Sequence, residues 1–289
     1  MRIVIVGGGI AAVYTANKIK ELSSGTEVLI VSDESYPPYD RIHLCRLIDN
    51  STPLSDITLE LDPTVNVELN TTITSIDTGS RCIISEHAIF KYDTLIIATG
   101  SKPKTLFPIE RLENVSTFRS VDDSYRIAKE IKDKNLLIVG VGPIGLELLD
   151  TLIQMKEPKS ITLISRGNYL YDKSIDQNMI TLMHTAFTKD PRVKILYNDE
   201  IINKEIHDNV ITEVTTKQTT IEDPFIVFGV GISPNIDFAK ESLDTQKGIL
   251  VDETMRSSDP HIYVVGEAAQ ISESGFIATH VQSCTLQSD

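Results

Sequence analysis

The chain's 289 residues suggest two domains at roughly 150 residues each, and 41% hydrophobic with 24% charged residues is the balance of an ordinary globular protein rather than a disordered one. Acidic residues outnumber basic ones by 41 to 27, a net charge of −14, which would repel a polyanion and argues against nucleic-acid binding. No window supplies the ~18 apolar residues of a membrane span, the first apolar run ends at three glycines without a leader's cleavage site, and Cys45, Cys82 and Cys284 are too scattered for a disulfide framework or a zinc site, so a reducing, cytoplasmic setting is expected.

The first element is the run Ile3 to Val6, apolar at every position. Such a run predicts a strand buried on both faces, as in a parallel sheet covered by helices. It leads into Gly7-Gly8-Gly9-Ile10-Ala11-Ala12, a G-x-G-x-x-A motif, and then a helical pattern from Ala11 to Leu22. In that motif Gly7 permits a tight turn, Gly9 lets a pyrophosphate approach the backbone, and Ala12 lets the helix sit close to the strand. The phosphates rest on amides at the helix N-terminus, where the dipole is positive. The next strand, Val28 to Val31, ends in Ser32-Asp33-Glu34. An acid there accepts hydrogen bonds from the adenosine ribose hydroxyls, and Glu34 is favoured over Asp33. Strand, motif, helix, strand and acid in this order predict a dinucleotide site.

Leu95 to Ala98 forms another apolar run, and Leu136 to Val139 opens a second cycle. It leads into Gly140-Val141-Gly142-Pro143-Ile144-Gly145-Leu146-Glu147, with a helix predicted over Ile144 to Met155. Its second strand, Ile161 to Ile164, ends in Ser165-Arg166, so the usual ribose acid is missing. Arg166 is suited to neutralise a 2′-phosphate, which tilts the choice toward NADPH while NADH stays open. Runs at Ile226 to Phe228 and Ile262 to Val265 complete the pattern. The result is two βαβ units without a short-period repeat.

Four further segments add specificity: Tyr92 to Gly100, Phe228 to Asn235, Lys247 to Asp252 and Ile262 to Glu267. With them the chain resembles the flavoproteins with two dinucleotide-binding domains, the pyridine nucleotide–disulfide oxidoreductase type. Within that family it most resembles the NADH:rubredoxin reductases and the FAD-binding N-terminal part of assimilatory nitrite reductases, from Met1 to about Gln282. The resemblance implies an α/β fold of two Rossmann-like domains with parallel sheets, the second inserted into the first. Residues 1–107 and 239–289 would hold FAD, and residues 108–238 would hold NAD(P)H. It also implies that the two nucleotides meet tip to tip, so that hydride passes from nicotinamide to flavin. Electrons then continue to a redox-partner protein or domain, rubredoxin-like or nitrite-reductase-like.

By the same resemblance Ala98, Thr99, Gly100, Gly231, Gly266 and Glu267 fall at the bound nucleotides. Glu267 stands where the family has an aspartate that accepts from the FAD ribityl chain, and its extra methylene shifts that contact or routes it through water. The loop Tyr36 to Leu44 resembles the segment leading to the flavin. It implies Arg41 near the isoalloxazine, where a cation stabilises the charge of reduced flavin, paired with Glu147. Relatives with a redox cysteine carry it near Cys45, but no Cys-x-x-x-x-Cys is present, and a core cysteine is expected. His43, His261 and His280 lack metal spacing and read as structural or surface residues.

The chain stops at Asp289, where relatives continue with a helix facing the flavin and then an interface domain. Only the start of that helix, around Gln282 and Ser283, is expected here, and the interface domain is expected to be absent. The alternatives are therefore a truncated nucleotide-binding or redox-sensing subunit without turnover and, third, a Cys45-dependent reductase of a disulfide or peroxide. No motif specifies the electron acceptor or the oligomeric state.

Overall fold

Each uninterrupted apolar run is a strand of a parallel sheet. The structure, a computed structural model, describes residues 1–171, 175–278 and 287. In one sheet the order is Ile262–Val264, Thr94–Ile97, Arg2–Val6, Glu27–Val31, Asn66–Glu68, every pair parallel. A second sheet runs Val193–Leu196, Ser160–Ile164, Asn135–Val139, Pro224–Phe228, Val115–Thr117, again all parallel. Helix α1 spans Ile10–Leu22 and α2 is the short turn Cys45–Ile48. Helices α3, α4 and α5 are Val121–Glu130, Pro143–Ile153 and Gln177–Phe187.

The two sheets repeat one plan. Arg2–Val6 feeds α1 and then Glu27–Val31 on one side, while Thr94–Ile97 adds on the other. Asn135–Val139 likewise stands between Ser160–Ile164, reached through α4, and Pro224–Phe228. In open α/β sheets the crevice outside the strand carboxyl ends, where the strand order reverses, is where ligands bind. Both glycine motifs leave their strands at such a point. The all-apolar pattern is explained by burial on both faces: Val4, Ile5, Leu95 and Ile97 are buried in one core, and Leu137, Ile164 and Ile226 in the other. Each such side chain contributes ~1.5–3 kcal/mol.

The chain separates into two units. Met1–Asp40, Ser55–Lys102 and Ser233–Asp289 make the first, and Arg41–Leu54 with Pro103–Ile232 make the second. Residues 41–54 lie within the stretch read from the sequence as FAD domain, yet here they group with the second unit. The cause is α2, which buries Leu47 and Ile48 and packs on α3 and α4.

Sequence periodicity did not reveal the smaller antiparallel pieces. Ile73–Asp77, Cys82–Ser85 and Ile89–Lys91 form a meander in the first unit. Ile201–His207, Val210–Thr216 and Thr220–Glu222 form one in the second. Buried Asn114 ties this second meander to the parallel sheet. Its Nδ2 donates to the carbonyls of Ile211 and Pro224, both at 2.7 Å, and its Oδ1 accepts from Ile211 N at 2.9 Å. Among the described residues no helix is long and apolar enough to cross a membrane.

Candidate functional site

The turn of the first motif is shaped by one close approach. Gly7 has φ +112°, and a Cβ there would lie 2.3 Å from the carbonyl oxygen of Ala98. Gly140 repeats this with φ +116° and the Gly229 carbonyl oxygen at 2.3 Å. Only glycine fits either position, because the conformation and the space both exclude a side chain. Gly8 is also constrained, since its Cβ would meet the buried Ser32 hydroxyl at 2.8 Å, a tightness the sequence reading did not assign. At the third motif position the units differ: a Cβ on Gly145 would lie 2.2 Å from the Gly140 carbonyl oxygen, whereas the first unit admits the fully buried Ala12.

The middle glycines behave oppositely. A Cβ on Gly9 or Gly142 would meet nothing within 4 Å. Gly9 caps α1 and Gly142 caps α4, and neither helix has a side-chain cap or an acid in its first turn. The chain does cap helices elsewhere. Ser120 accepts from Asp123 N at 3.1 Å at the start of α3, and Asp176 accepts from Asn178 N at 2.8 Å at the start of α5. Two helix starts are thus left with open glycine backbone and an uncompensated positive dipole, which is the fit required by a nucleotide phosphate.

Around the first turn, half-buried Glu34 accepts a hydrogen bond from Tyr39 Oη at 2.5 Å. Its carboxylate stands just past the end of Glu27–Val31, the position suited to ribose hydroxyls. Thr99 donates to the Asn235 carbonyl at 2.6 Å, and Gly100 turns with φ +61° and accepts from Asn235 N at 2.9 Å. Glu267 follows Gly266 and accepts from the buried Ser101 hydroxyl at 2.6 Å. Ser101 carries no motif signal, and only the fold identifies it as the partner of this carboxylate. Gly266 N donates to Gln287 Oε1 at 2.9 Å, and Gln287 Nε2 beside it is buried without a partner among the described residues. An orphaned polar atom at this turn marks a place that suits a polar ligand group.

Around the second turn, Ser165 points inward. Its hydroxyl donates to the Tyr169 carbonyl at 3.1 Å and accepts from Gly167 N at 3.3 Å. The hydroxyl therefore builds the turn that carries exposed Arg166. Gly231, with φ +104° and open space where a Cβ would be, accepts from Lys104 N at 2.9 Å.

A third cluster lies within the second unit. Arg41 begins a 3₁₀ turn through His43 and donates from Nη1 to the Arg119 carbonyl at 3.1 Å. On α4, Glu147 lies beside the Cys45 thiol and feels the charge of His43. Desolvation outweighs both and holds the Glu147 carboxyl above its ordinary range, even though the residue as a whole keeps solvent contact. The Cys45 thiol is pushed up to about 12, first by burial and then by the nearby carboxylates of Glu147, Asp49 and Asp150, against a hydrogen bond from Thr151. At neutral pH it is a thiol, and a thiol is not the nucleophile of disulfide or peroxide chemistry. This disfavours the Cys45-dependent reading.

Cys82 is buried, and among the described residues no group of histidine, cysteine, aspartate or glutamate could hold a metal ion. His280, Gln282, Ser283 and Cys284 lie outside the described residues.

Two parallel sheets, each with a phosphate-suited turn at its reversal point, have the plan of a protein with two dinucleotide-binding domains. The family model described as pyridine nucleotide-disulphide oxidoreductase matches residues 1–284, and the chain belongs to that family, whose cofactors are FAD and NAD(P)H. It is 29% identical over 282 residues to the nitrite reductase [NAD(P)H] of Bacillus subtilis (strain 168), covering 93% of this chain and 34% of that protein. It is 25% identical over 297 residues to the rubredoxin-NAD(+) reductase of Pseudomonas putida, covering 99% of this chain and 76% of that one. Among solved structures, the covalent putidaredoxin reductase–putidaredoxin complex matches with a TM-score of 0.89 at 22% identity, covering 99% of this chain and 73% of that one. The chain spans 34% and 36% of the length of the first two curated relatives it matches.

Proposed function

We propose that this chain is an FAD-dependent NAD(P)H oxidoreductase that passes electrons to a redox-partner protein or domain, rubredoxin-like or nitrite-reductase-like. The observation that carries the reading is the repeated pair of uncapped helix starts, α1 and α4, each with an open glycine at a sheet's reversal point. In it, residues 1–107 and 239–289 hold FAD and residues 108–238 hold NAD(P)H. Bound FAD and NAD(P)H supply the hydride chemistry, and the chain supplies binding and charge.

Gly7, Gly9 and Ala12 form the FAD phosphate turn, Glu34 takes the ribose, and Ala98, Thr99, Gly100, Gly266 and Glu267 line the rest. Gly140, Gly142, Gly145 and Gly231 hold the nicotinamide nucleotide, with Ser165 shaping the turn that presents Arg166. Arg41 and Glu147 are the residues we assign to the hydride step. The guanidinium offsets negative charge that develops on reduction, and the carboxylate orients the group it faces. The relatives' names as rubredoxin and nitrite reductases support an electron-carrying protein as the acceptor.

The test is an absorption spectrum of the purified chain with excess FAD removed, followed by heat release and chromatography of the ligand. Bound FAD that bleaches on adding NADPH or NADH supports the reading. Bound FMN, or no binding of added FAD, overturns it and leaves the nucleotide-sensing remnant.

A further inference from the structure

The end of Ser160–Ile164 carries Arg166 but no acid, yet the fold brings one from a neighbouring strand. Beyond Val193–Leu196, Asn198 N donates to the Gly167 carbonyl at 3.2 Å and Asp199 N to the Ser165 carbonyl at 2.8 Å. The loop through Glu200 is thereby fastened to the turn that holds Arg166. Asp199 is almost fully buried and organises the corner. Its carboxylate accepts from Thr216 Oγ1, Lys217 N and Glu200 N, each at 2.8 Å. Those bonds orient it inward, away from any ligand role.

What the corner presents outward is Glu200 and Lys217. Glu200 Oε1 lies 2.7 Å from Lys217 Nζ, with side chains 45% and 53% exposed respectively. The Glu200 carboxyl is held below its ordinary range, chiefly by Lys217 and in part by the charge of Arg166. An ion pair, Glu200 with Lys217, therefore stands on a loop fastened to the turn of Arg166, at the site where a Rossmann domain distinguishes a ribose hydroxyl from a 2′-phosphate.

We propose that Glu200 sets the choice between NADPH and NADH, competing with the 2′-phosphate for Arg166 and Lys217. Lys217 is the second phosphate cation, and Glu200 is the counter-charge that a phosphate must displace. A nucleotide with a free 2′-hydroxyl leaves the Glu200–Lys217 pair intact and can donate that hydroxyl to the Glu200 carboxylate. The inference rests on reading the second unit as the NAD(P)H site. It alters the expectation from sequence, where Ser165 and Arg166 alone tilt the site to NADPH.

The test is calorimetric binding of adenosine 2′,5′-bisphosphate and of 5′-AMP to the full chain at low ionic strength, where exposed charges are least screened. Glu200→Gln should tighten the bisphosphate ~3- to 10-fold and leave 5′-AMP within ~2-fold. In a background of Arg166→Ala with Lys217→Ala, the gain should vanish. These exposed positions leave the Asp199 bonds in place, and an unchanged Tm verifies that each variant is folded. If 5′-AMP binds but Glu200→Gln gives no selective gain, or the gain persists without both cations, the Glu200 role is overturned alone. If folded wild-type chain binds neither ligand, the nucleotide reading of the second unit fails and this proposal fails with it.

Discussion

The thiol of Cys45 lies beside the carboxylate of Glu147, whose charge pushes the thiol up, while Thr151, one turn further along α4, pulls it back. The cysteine that sequence context makes a candidate for redox chemistry therefore sits against a carboxylate that disfavours its thiolate. Burial raises both groups, and each is stabilised in a form that accommodates the other.

Cys45 should accordingly resist alkylation. Its ordinary value of 9.0 is raised to about 12, so the folded state disfavours the thiolate. The sign follows from linkage: stability should fall as pH rises from about 9 to about 12, where the unfolded chain loses this proton more readily. Iodoacetamide labelling followed by mass spectrometry should find Cys45 unmodified at pH 8 in folded protein. The decline in Tm above pH 9 should be shallower in Cys45→Ala, and labelling at the rate of a free thiol would contradict the account.

Glu147→Ala should slow flavin reduction more than it weakens nucleotide binding, by roughly tenfold or more in the stopped-flow rate, whereas Glu147→Gln keeps the side chain's size beside Cys45 and isolates the effect of charge. Equal losses in rate and affinity would move Glu147 from the reaction to binding.

The glycines of one motif should separate folding from binding. Gly7→Ala forces a side chain onto the Ala98 carbonyl in a left-handed backbone conformation, and should destabilise by more than ~2 kcal/mol. Gly9→Ala meets no protein atom, so its Tm should stay near wild type while FAD affinity falls at least ~10-fold, because the methyl fills the phosphate's approach. A Gly9→Ala protein that retains FAD as tightly as wild type would remove the phosphate from this turn.

Asn114→Ala should act on stability alone. It removes three buried hydrogen bonds to Ile211 and Pro224, at a cost of about 2–4 kcal/mol. Urea denaturation measures this directly, and 5′-AMP affinity of the folded fraction should be unchanged.

Arg166→Ala should weaken NADPH by roughly tenfold and NADH little, since it removes one charge-assisted contact to the extra phosphate. Fluorescence titration of both nucleotides decides it, and equal weakening would mean that Arg166 does not read the phosphate.

The double Rossmann plan was legible because its central strands are buried on both faces and its turns are confined to glycine. Val4, Ile5, Leu137 and Ile138 leave no room for polar alternation, and Gly7 and Gly140 permit no substitute. The edge strand Asn66–Glu68 and the meander strand Ile201–His207 lack that signature, because solvent on one side lets Glu68, Lys204 and Glu205 intrude. Glu34 and Arg166 could be proposed from the sequence because they follow their motifs at fixed distances. Ser101, Glu200 and Lys217 could not, since each reaches its partner across a sheet edge rather than along a repeat. The membership of residues 41–54 was hidden for a related reason: α2 is too short to show a period, and only its contacts with α3 and α4 assign it.

The interleaving of the two units fixes the order in which they can close during synthesis. All of the second unit has been made once Ile232 has emerged, but the first unit's sheet still lacks Ile262–Val264. The unit that starts first therefore finishes last. Until then Thr94–Ile97 has an open edge beside apolar Leu95 and Ile97, a template for pairing with another chain. A nascent chain stalled between residues 233 and 261 should thus be the aggregation-prone species, with its second unit already resistant to protease.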